Sequence, residues 1–479
     1  MTYRPAPVSP GAVPASAIAS RLEPDAIGVA QDTAIGMASS APAGTMAALP
    51  VASAYGSGPV LILTALPMLV IANSYRRLNL WSANCSASFE WVGRAIDPYL
   101  GFVTGWLMIA GYVIGAVAEV VVLGPSVLAV FGSSSASSWA YIAIDTALCV
   151  TLLVIAIVGI RITARTQIGM ASVEYLILIA FSAWGLVAVL GHHPGTFPVT
   201  RGWFSLTGIG GKGSLTAGLL ISVYVYSLWD GTLYANEEVK HRRISPGRAA
   251  VFAVALLTVL YTLAQAGLQG IVSPTRLQAN ASTAMVYVAT ALGGTGWAKL
   301  MALSIALSVT AATGTGIVLT ARIVYGMASY RTLPPLLGKV SARFKTPAVA
   351  SVVVGALIIA ARWVYILVTS AQAIFGEVVS LAGLLAAAFY ILTALATIAY
   401  YRRRILANAW DATLADILPL AAAGFLGWII VRPVQNEPVS QRWALADIVA
   451  AGVIVMGYAR FALRSPFFQI PRESASRES

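Results

Sequence analysis

The sequence predicts an all-α polytopic membrane protein. It should have twelve transmembrane helices: two inverted five-helix repeats, with helices 1 and 6 unwound, plus two appended helices. Three observations predict this. Of the 479 residues, 58% are hydrophobic and only 10% are charged, whereas soluble domains carry about 25% charged residues. Apolar stretches of about 20 residues, the length that crosses a bilayer core, recur along the whole chain. Two of these stretches are interrupted at mid-span, five spans apart, the pattern that inverted repeats produce.

The spans are expected near 26–52, 57–75, 100–130, 139–160, 168–190, 215–236, 249–271, 298–321, 347–369, 374–400, 413–431 and 443–463. Residues 1–22 hold Pro5, Pro7, Pro10 and Pro14 among Ala and Ser and read as a flexible cytoplasmic tail. The transmembrane domain should run from 23 to 465. Repeat one falls at about 23–195, repeat two at about 212–405 and helices 11 and 12 at about 410–465, before a second cytoplasmic tail at 466–479.

Basic residues test the count. With the N-terminus inside and twelve crossings, about 23 of the 30 Lys and Arg fall in inner segments, as the positive-inside rule requires. The outer segments keep Arg201, Lys212, Arg276, Lys299, Arg362, Arg432 and Arg442. The run Arg402, Arg403 and Arg404 is an inner anchor. The net charge of +12 is thereby assigned to loops at the cytoplasmic membrane, not to a nucleic acid. Cys85 and Cys149 are too few for a disulfide framework or a four-ligand metal site. His192, His193 and His241 leave little imidazole for metal binding. No cofactor is expected.

The first break is Met37-Ala38-Ser39-Ser40-Ala41-Pro42-Ala43-Gly44. Pro42 lacks an N–H and clashes with the preceding turn. The sixth span carries Ser227-Leu228-Trp229-Asp230-Gly231-Thr232, with a charge and a glycine at mid-depth. Broken backbone survives in lipid only when buried in protein or lining a wet cavity. The plain alternative is a kinked, packed helix in each place.

Three further segments carry a resemblance. They are Leu78-Asn79 with Asn84 through Ala95 and Gly101 through Trp106, Ala235 through Lys240 with Ile244 through Ala249, and Ala321 through Ala328 with Leu333-Pro334 and Thr346-Pro347. In that order they resemble amino acid–polyamine–organocation (APC) superfamily permeases over residues 25–405. The resemblance implies the LeuT-type five-plus-five fold and a central site between unwound helices 1 and 6. Family members often carry Gly-x-Gly in the first unwound segment, and this chain departs from that with Ser39 through Gly44.

An amino acid needs donors for its carboxylate and acceptors for its ammonium. Amides at Ala43, Gly44 and Thr45, beside the Ser39 and Ser40 hydroxyls, are candidate donors. Carbonyls near Ser227 and Leu228 are candidate acceptors, and Gly231 completes the second break. Trp229 either shields the substrate or only packs. Asp230 is a counter-charge, a proton site or a helix cap, because a carboxylate at membrane depth costs about 2.5–3.5 kcal/mol and faces a partner or cavity.

Glu174 is the first candidate for coupling. In proton-coupled relatives a buried lysine lies at what resembles this position, and sodium-coupled relatives bind sodium there. The carboxyl either exchanges a proton or forms a static bridge. Glu119 in span three is the second coupling candidate. Ser308, Thr310 and Thr313 offer oxygens for a sodium alternative, or serve as interhelical glue. Glu119 is expected to point into the bundle, and Asp32, toward the inner end of span one, to pair only with a loop arginine. Glu237, Glu238 and Lys240 form a solvated helix end or an inner network with Arg322.

The function expected is a secondary active carrier of amino acids, by alternating access, coupled to protons or exchange. Its partners are a small-molecule substrate and membrane lipids. A polyamine or organic-cation carrier of the same fold is the alternative. A polytopic membrane enzyme needs paired acid/base groups on a large loop, which the connections near 191–214 and 272–297 lack. A channel favours symmetric subunits with pore rings, and primary transport needs a Walker-type segment, which is absent from the sequence.

Overall fold

The computed structural model describes residues 22–46, 48, 57–133, 136–206, 212–280, 283–368, 375–403, 412–436 and 439–475. Among these the only β pairing is a bridge between Ile27 and Val239. Ten helices among the described residues are long and apolar enough to cross a membrane. A helix satisfies its own amides and carbonyls, which find no partner in hydrocarbon.

The first repeat opens with α1 (Val29–Ser39) and α2 (Pro42–Thr45), the two described pieces of the first span. Residues 47 and 49–52 of the stretch expected at 26–52 lie outside the described residues, as do residues 53–56 after it and residues 1–21 and 476–479 of the expected tails. Then come α3 (Ser57–Trp81), a short α4 (Ser88–Ala95), α5 (Pro98–Val130), α6 (Ser138–Val158) and α7 (Ile160–Leu190). A single residue, Gly159 at φ +146°, separates α6 from α7. Few residues other than glycine adopt that backbone without strain.

The second repeat has the same plan. It runs through α8 (Lys212–Val225), α9 (Gly231–Tyr234), α10 (Ser245–Gln269), α11 (Pro274–Ala279), α12 (Ala284–Ser329), α13 (Ala348–Val368) and α14 (Phe375–Tyr401). The expected span 298–321 is the later part of α12, which has 46 residues and bends at Gly293 and Gly294. Thus α11 and the start of α12 sit between the second and third spans of this half, where α4 sits in the other. The appended helices are α15 (Leu418–Asn436) and α16 (Val439–Gly457), each extended by a π-helical turn.

Packing follows the repeat. Helix α1 packs on α7 as α8 packs on α14, α10 on α7 as α3 on α14, and α12 on α7 as α5 on α14. The pairs α3–α10, α5–α12 and α6–α13 join the halves. Helix α16 is mostly exposed, with Val453, Ile454 and Phe461 outward, as lipid contact requires.

Arg362 corrects the sequence expectation. It lies inside α13, fully buried, and not in an outer loop. Its guanidinium donates to Asp145 Oδ1 of α6 at 2.7 Å, Ala116 O of α5 at 2.8 Å and Thr313 Oγ1 of α12 at 2.7 Å. Glu119 Oε2 of α5 is 3.4 Å away and accepts from Thr313 Oγ1 at 3.1 Å. Two buried acids thus explain a buried arginine, and the cluster ties four helices together.

After α16 the chain turns back under the bundle. Ser465 Oγ donates to Tyr330 O at 2.6 Å. Phe467 stacks on Phe89 of α4 at 4.1 Å. The Glu473 carboxylate takes Arg94 Nη2 at 2.7 and 2.8 Å, and Glu473 N donates to Arg94 O at 2.7 Å. A Cβ on Gly93 would come within 2.5 Å of the Phe467 ring, so glycine is required there.

Arg362→Ala should destabilise the protein by about 3–5 kcal/mol, because it leaves buried acids unpaired. A large fall in the detergent unfolding midpoint checks this, and an unchanged midpoint contradicts it. Gly93→Val should displace Phe467 and create new protease cuts within residues 463–475. An unchanged digestion pattern counts against the close approach.

Candidate functional site

Both predicted breaks are present and they meet. In the first, Ala41 takes the left-handed conformation at φ +43° and ψ +60°. The residue before a proline is pushed out of the right-handed helical region, and Pro42 then starts α2 with no amide to satisfy. In the second, α8 ends at Val225 and α9 starts at Gly231, with Leu228 at φ +70° between them. Short turns close that gap: Ser227 N bonds Tyr224 O at 2.9 Å and Gly231 N bonds Leu228 O at 3.1 Å.

Ser40 Oγ donates to Ser227 O at 2.7 Å, directly across the two breaks. Glycine permits the approach. A Cβ on Gly36 would lie 2.9 Å from Trp229 O, one on Gly231 would lie 3.1 Å from Ser39 Oγ, and one on Gly44 would meet Val309 at 2.8 Å. Ser39, Ser40, Ala43, Gly44, Thr45 and Ser227 through Gly231 are all buried. The hydroxyls serve the backbone: Ser39 donates to Ile35 O, Thr45 to Ser40 O and Ala41 O, and Ser227 to Tyr224 O.

Asp230 heads α9 but makes no capping bond. Its Oδ1 accepts from Tyr390 OH of α14 at 2.8 Å and its Oδ2 accepts from Tyr234 OH. Tyr390 OH also accepts from Leu228 N at 3.2 Å, so one phenol serves the carboxylate and the broken backbone. Trp229 is fully buried, stacked on Tyr390 at 5.5 Å and edge-on to Tyr75 of α3 at 5.2 Å. Its indole N–H has no partner.

Glu174 of α7 reaches the first break. Its Oε1 accepts from Ala43 N at 3.0 Å, so one of the expected donor amides already holds a carboxylate. Ser304 Oγ of α12 donates to Glu174 O at 3.2 Å. Ser308 lies beside the same carboxyl, yet Glu174 Oε2 and Ser308 Oγ complete no hydrogen bond of normal geometry.

The other sequence candidates separate. Thr310 donates to its own helix at Ala306 O, and Thr313 belongs to the Arg362 cluster. The three oxygens proposed for sodium therefore do not converge. Glu119 stands in that cluster too. Asp32 is fully buried, and neither of its oxygens has a hydrogen-bond partner, arginine included.

Beyond Asp230 the two broken spans are tied together. Ala26 N and Ile27 N donate to Glu238 O at 2.8 and 3.1 Å, and Lys240 N donates to Ile27 O at 2.9 Å. Arg322 Nε of α12 donates to Glu238 Oε2, both side chains being buried. Glu237 Oε1 accepts from Cys85 N at 3.1 Å. Of the expected group, Glu238 pairs with Arg322, while Lys240 is exposed.

Sequence reasoning missed Tyr390, Tyr234, Tyr75 and Asp145. Tyr234 had a findable signal, lying one helical turn beyond Asp230. Tyr390, Tyr75 and Asp145 sit on distant helices and carry no local mark.

The amino acid permease family model matches residues 31–456. No curated protein matches the sequence. Among solved structures, a variant of the manganese transporter of Eremococcus coleocola is similar. It shares 11% identity, with a TM-score of 0.57 over 91% of this chain and 94% of that one. At that identity the likeness shows the fold. With the paired unwound helices, the repeat and the family match in hand, this chain belongs to the amino acid permease family of the APC superfamily and is an integral membrane transporter.

Proposed function

We propose that the protein carries amino acids across the cytoplasmic membrane by alternating access, as a secondary transporter with both termini cytoplasmic. One observation carries this reading: the two breaks face each other at 2.7 Å through Ser40 Oγ and Ser227 O, buried in the bundle. Two amides there are held by side chains and not by helix, Ala43 N by Glu174 and Leu228 N by Tyr390, so a small zwitterion could compete for them. The amides of Ala43 and Gly44 are assigned the carboxylate role; the Thr45 amide, the third expected donor, is already bonded to Ala41 O at 2.9 Å. The carbonyls near Ser227 and Leu228, with the Asp230 carboxylate, face the ammonium role. Tyr390 bridges Leu228 N and Asp230, so its movement would free both. Trp229 is the aromatic wall beside them.

The Arg322–Glu238 pair and the Ile27–Val239 bridge close one end of the broken spans. Breaking them would give access from that side, which we assign to the cytoplasm from the distribution of basic residues. Coupling is assigned to Glu174, whose carboxyl touches the first break. Glu119 is better explained as the partner of Thr313 and Arg362. A manganese cargo, as in the structural relative, would need a ligand cluster. No group of three or more His, Cys, Asp or Glu suited to a metal occurs among the described residues.

A polyamine or organic-cation carrier of the same fold has one observation in its favour. The charged side chains touching the two breaks, Glu174 and Asp230, are both acidic. Uptake of an amino acid and of its decarboxylated amine, compared in proteoliposomes, separates the two. Asp230→Asn should keep the protein folded, since the amide still bonds one tyrosine. Flux should fall at least about tenfold, because a hydrogen bond to a charged group contributes about 1.5–3 kcal/mol. Wild-type flux in that variant removes Asp230 from the site.

A further inference from the structure

Glu174 lies where an arriving carboxylate would have to lie. Its Oε1 accepts from the Ala43 amide at 3.0 Å, two residues beyond the left-handed Ala41. The carboxyl is fully buried. The Ser308 hydroxyl lies beside this carboxyl, but neither it nor Glu174 Oε2 makes a hydrogen bond of normal geometry. The first break therefore already holds one carboxylate by a single bond, with polar capacity left over beside it.

The groups facing this carboxyl can be named element by element. Helix α2 gives the Ala43 amide, and α12 gives Ser304 and Ser308. Tyr261 of α10 and Tyr175 of α7 itself lie within electrostatic reach. The acid of α1, Asp32, has no hydrogen-bond partner. The buried cation of α12, Arg322, is engaged by Glu238. Ser308 and the Ala43 amide are the groups that act on the Glu174 carboxyl, and no basic side chain does so.

We propose that Glu174 is a resident competitor for the carboxylate of the substrate, a proposal that rests on the amino acid reading above. Ionised, it holds the Ala43 amide. When it takes one proton from solution, the charge-assisted bond, about twice as strong as a neutral one, is lost. The substrate carboxylate then takes the amide, and the new Glu174 hydroxyl has Ser308 or that carboxylate as its acceptor. No covalent bond other than O–H changes. One proton enters with each substrate, and by linkage the substrate strengthens proton binding as much as the proton strengthens substrate binding.

The test uses the full-length protein in detergent, wild type against Glu174→Ala and Glu174→Gln, with acetate as probe and acetamide as neutral control. Acetate should stabilise Glu174→Ala against heat at pH 8, where the wild type does not respond, and acetamide should stabilise neither. The wild type should gain the acetate response as pH falls. Its apparent affinity should change by up to about tenfold per pH unit for one linked proton. Glu174→Gln should bind acetate with no pH slope.

Absence of an acetate response in Glu174→Ala overturns the proposal, and so does a pH slope in Glu174→Gln equal to the wild type's. If Glu174→Ala does not fold, the Glu174→Gln slope decides. A panel of the twenty common amino acids forms the separate arm. Acetate binding to Glu174→Ala, with no amino acid stabilising any of the three proteins, removes the amino acid reading and leaves the carboxylate seat standing.

Discussion

Lipid offers no hydrogen bonds, so every backbone amide and carbonyl at membrane depth must be satisfied from within the protein. Most of this chain does so by unbroken helix. The two interrupted spans cannot, and much of the central architecture answers that need. Ser40 Oγ takes Ser227 O, Tyr390 OH takes Leu228 N, Glu174 takes Ala43 N, and Tyr261 OH takes Val225 O at 2.9 Å. Side chains from α7, α10 and α14 thus replace the turns that α1 and α8 give up. The same groups are the ones on which the proposed site rests.

Buried charge is distributed on the same principle. An isolated ion in low dielectric is costly and is found paired or hydrogen-bonded. Arg362 has Asp145 and Glu119, Arg322 has Glu238, and Asp230 has two phenols. These are unequal solutions. The Arg362 cluster spans α5, α6, α12 and α13 and fixes them as a frame. The Arg322–Glu238 pair joins a frame helix to the broken spans. Asp230 and Glu174 are held by neutral groups alone, which leaves their charge uncompensated at the breaks.

The C-terminal segment packs back on the bundle through contacts late in the chain. Phe467 and Glu473 grip α4 through Phe89, Gly93 and Arg94. Arg94 is shared with Glu90 of its own helix, and Glu90 Oε2 accepts from Tyr330 OH at 2.7 Å. The short helix between the second and third spans is therefore locked to α12 and to the tail together.

Local pattern was enough for the helices, because hydrophobic length and the conformational limits of Pro and Gly act within a few residues of one another. The ten long spans, the break at Ala41-Pro42, the break around Asp230 and their spacing were all legible in that way. The resemblance carried by the loop segments pointed to the superfamily. What the sequence could not supply was rotation and register: which side of each helix faces which neighbour. Arg362 was counted with the outer basic residues although it falls within the span expected at 347–369, because its partners Asp145 and Glu119 sit on other helices. Tyr390 carries no local signal, yet it bridges Asp230 and Leu228. Glu174 was legible as a buried acid, but its hold on Ala43 N exists only once α7 packs on the first span. Those pairings join residues more than a hundred positions apart, and only the packed bundle fixes them.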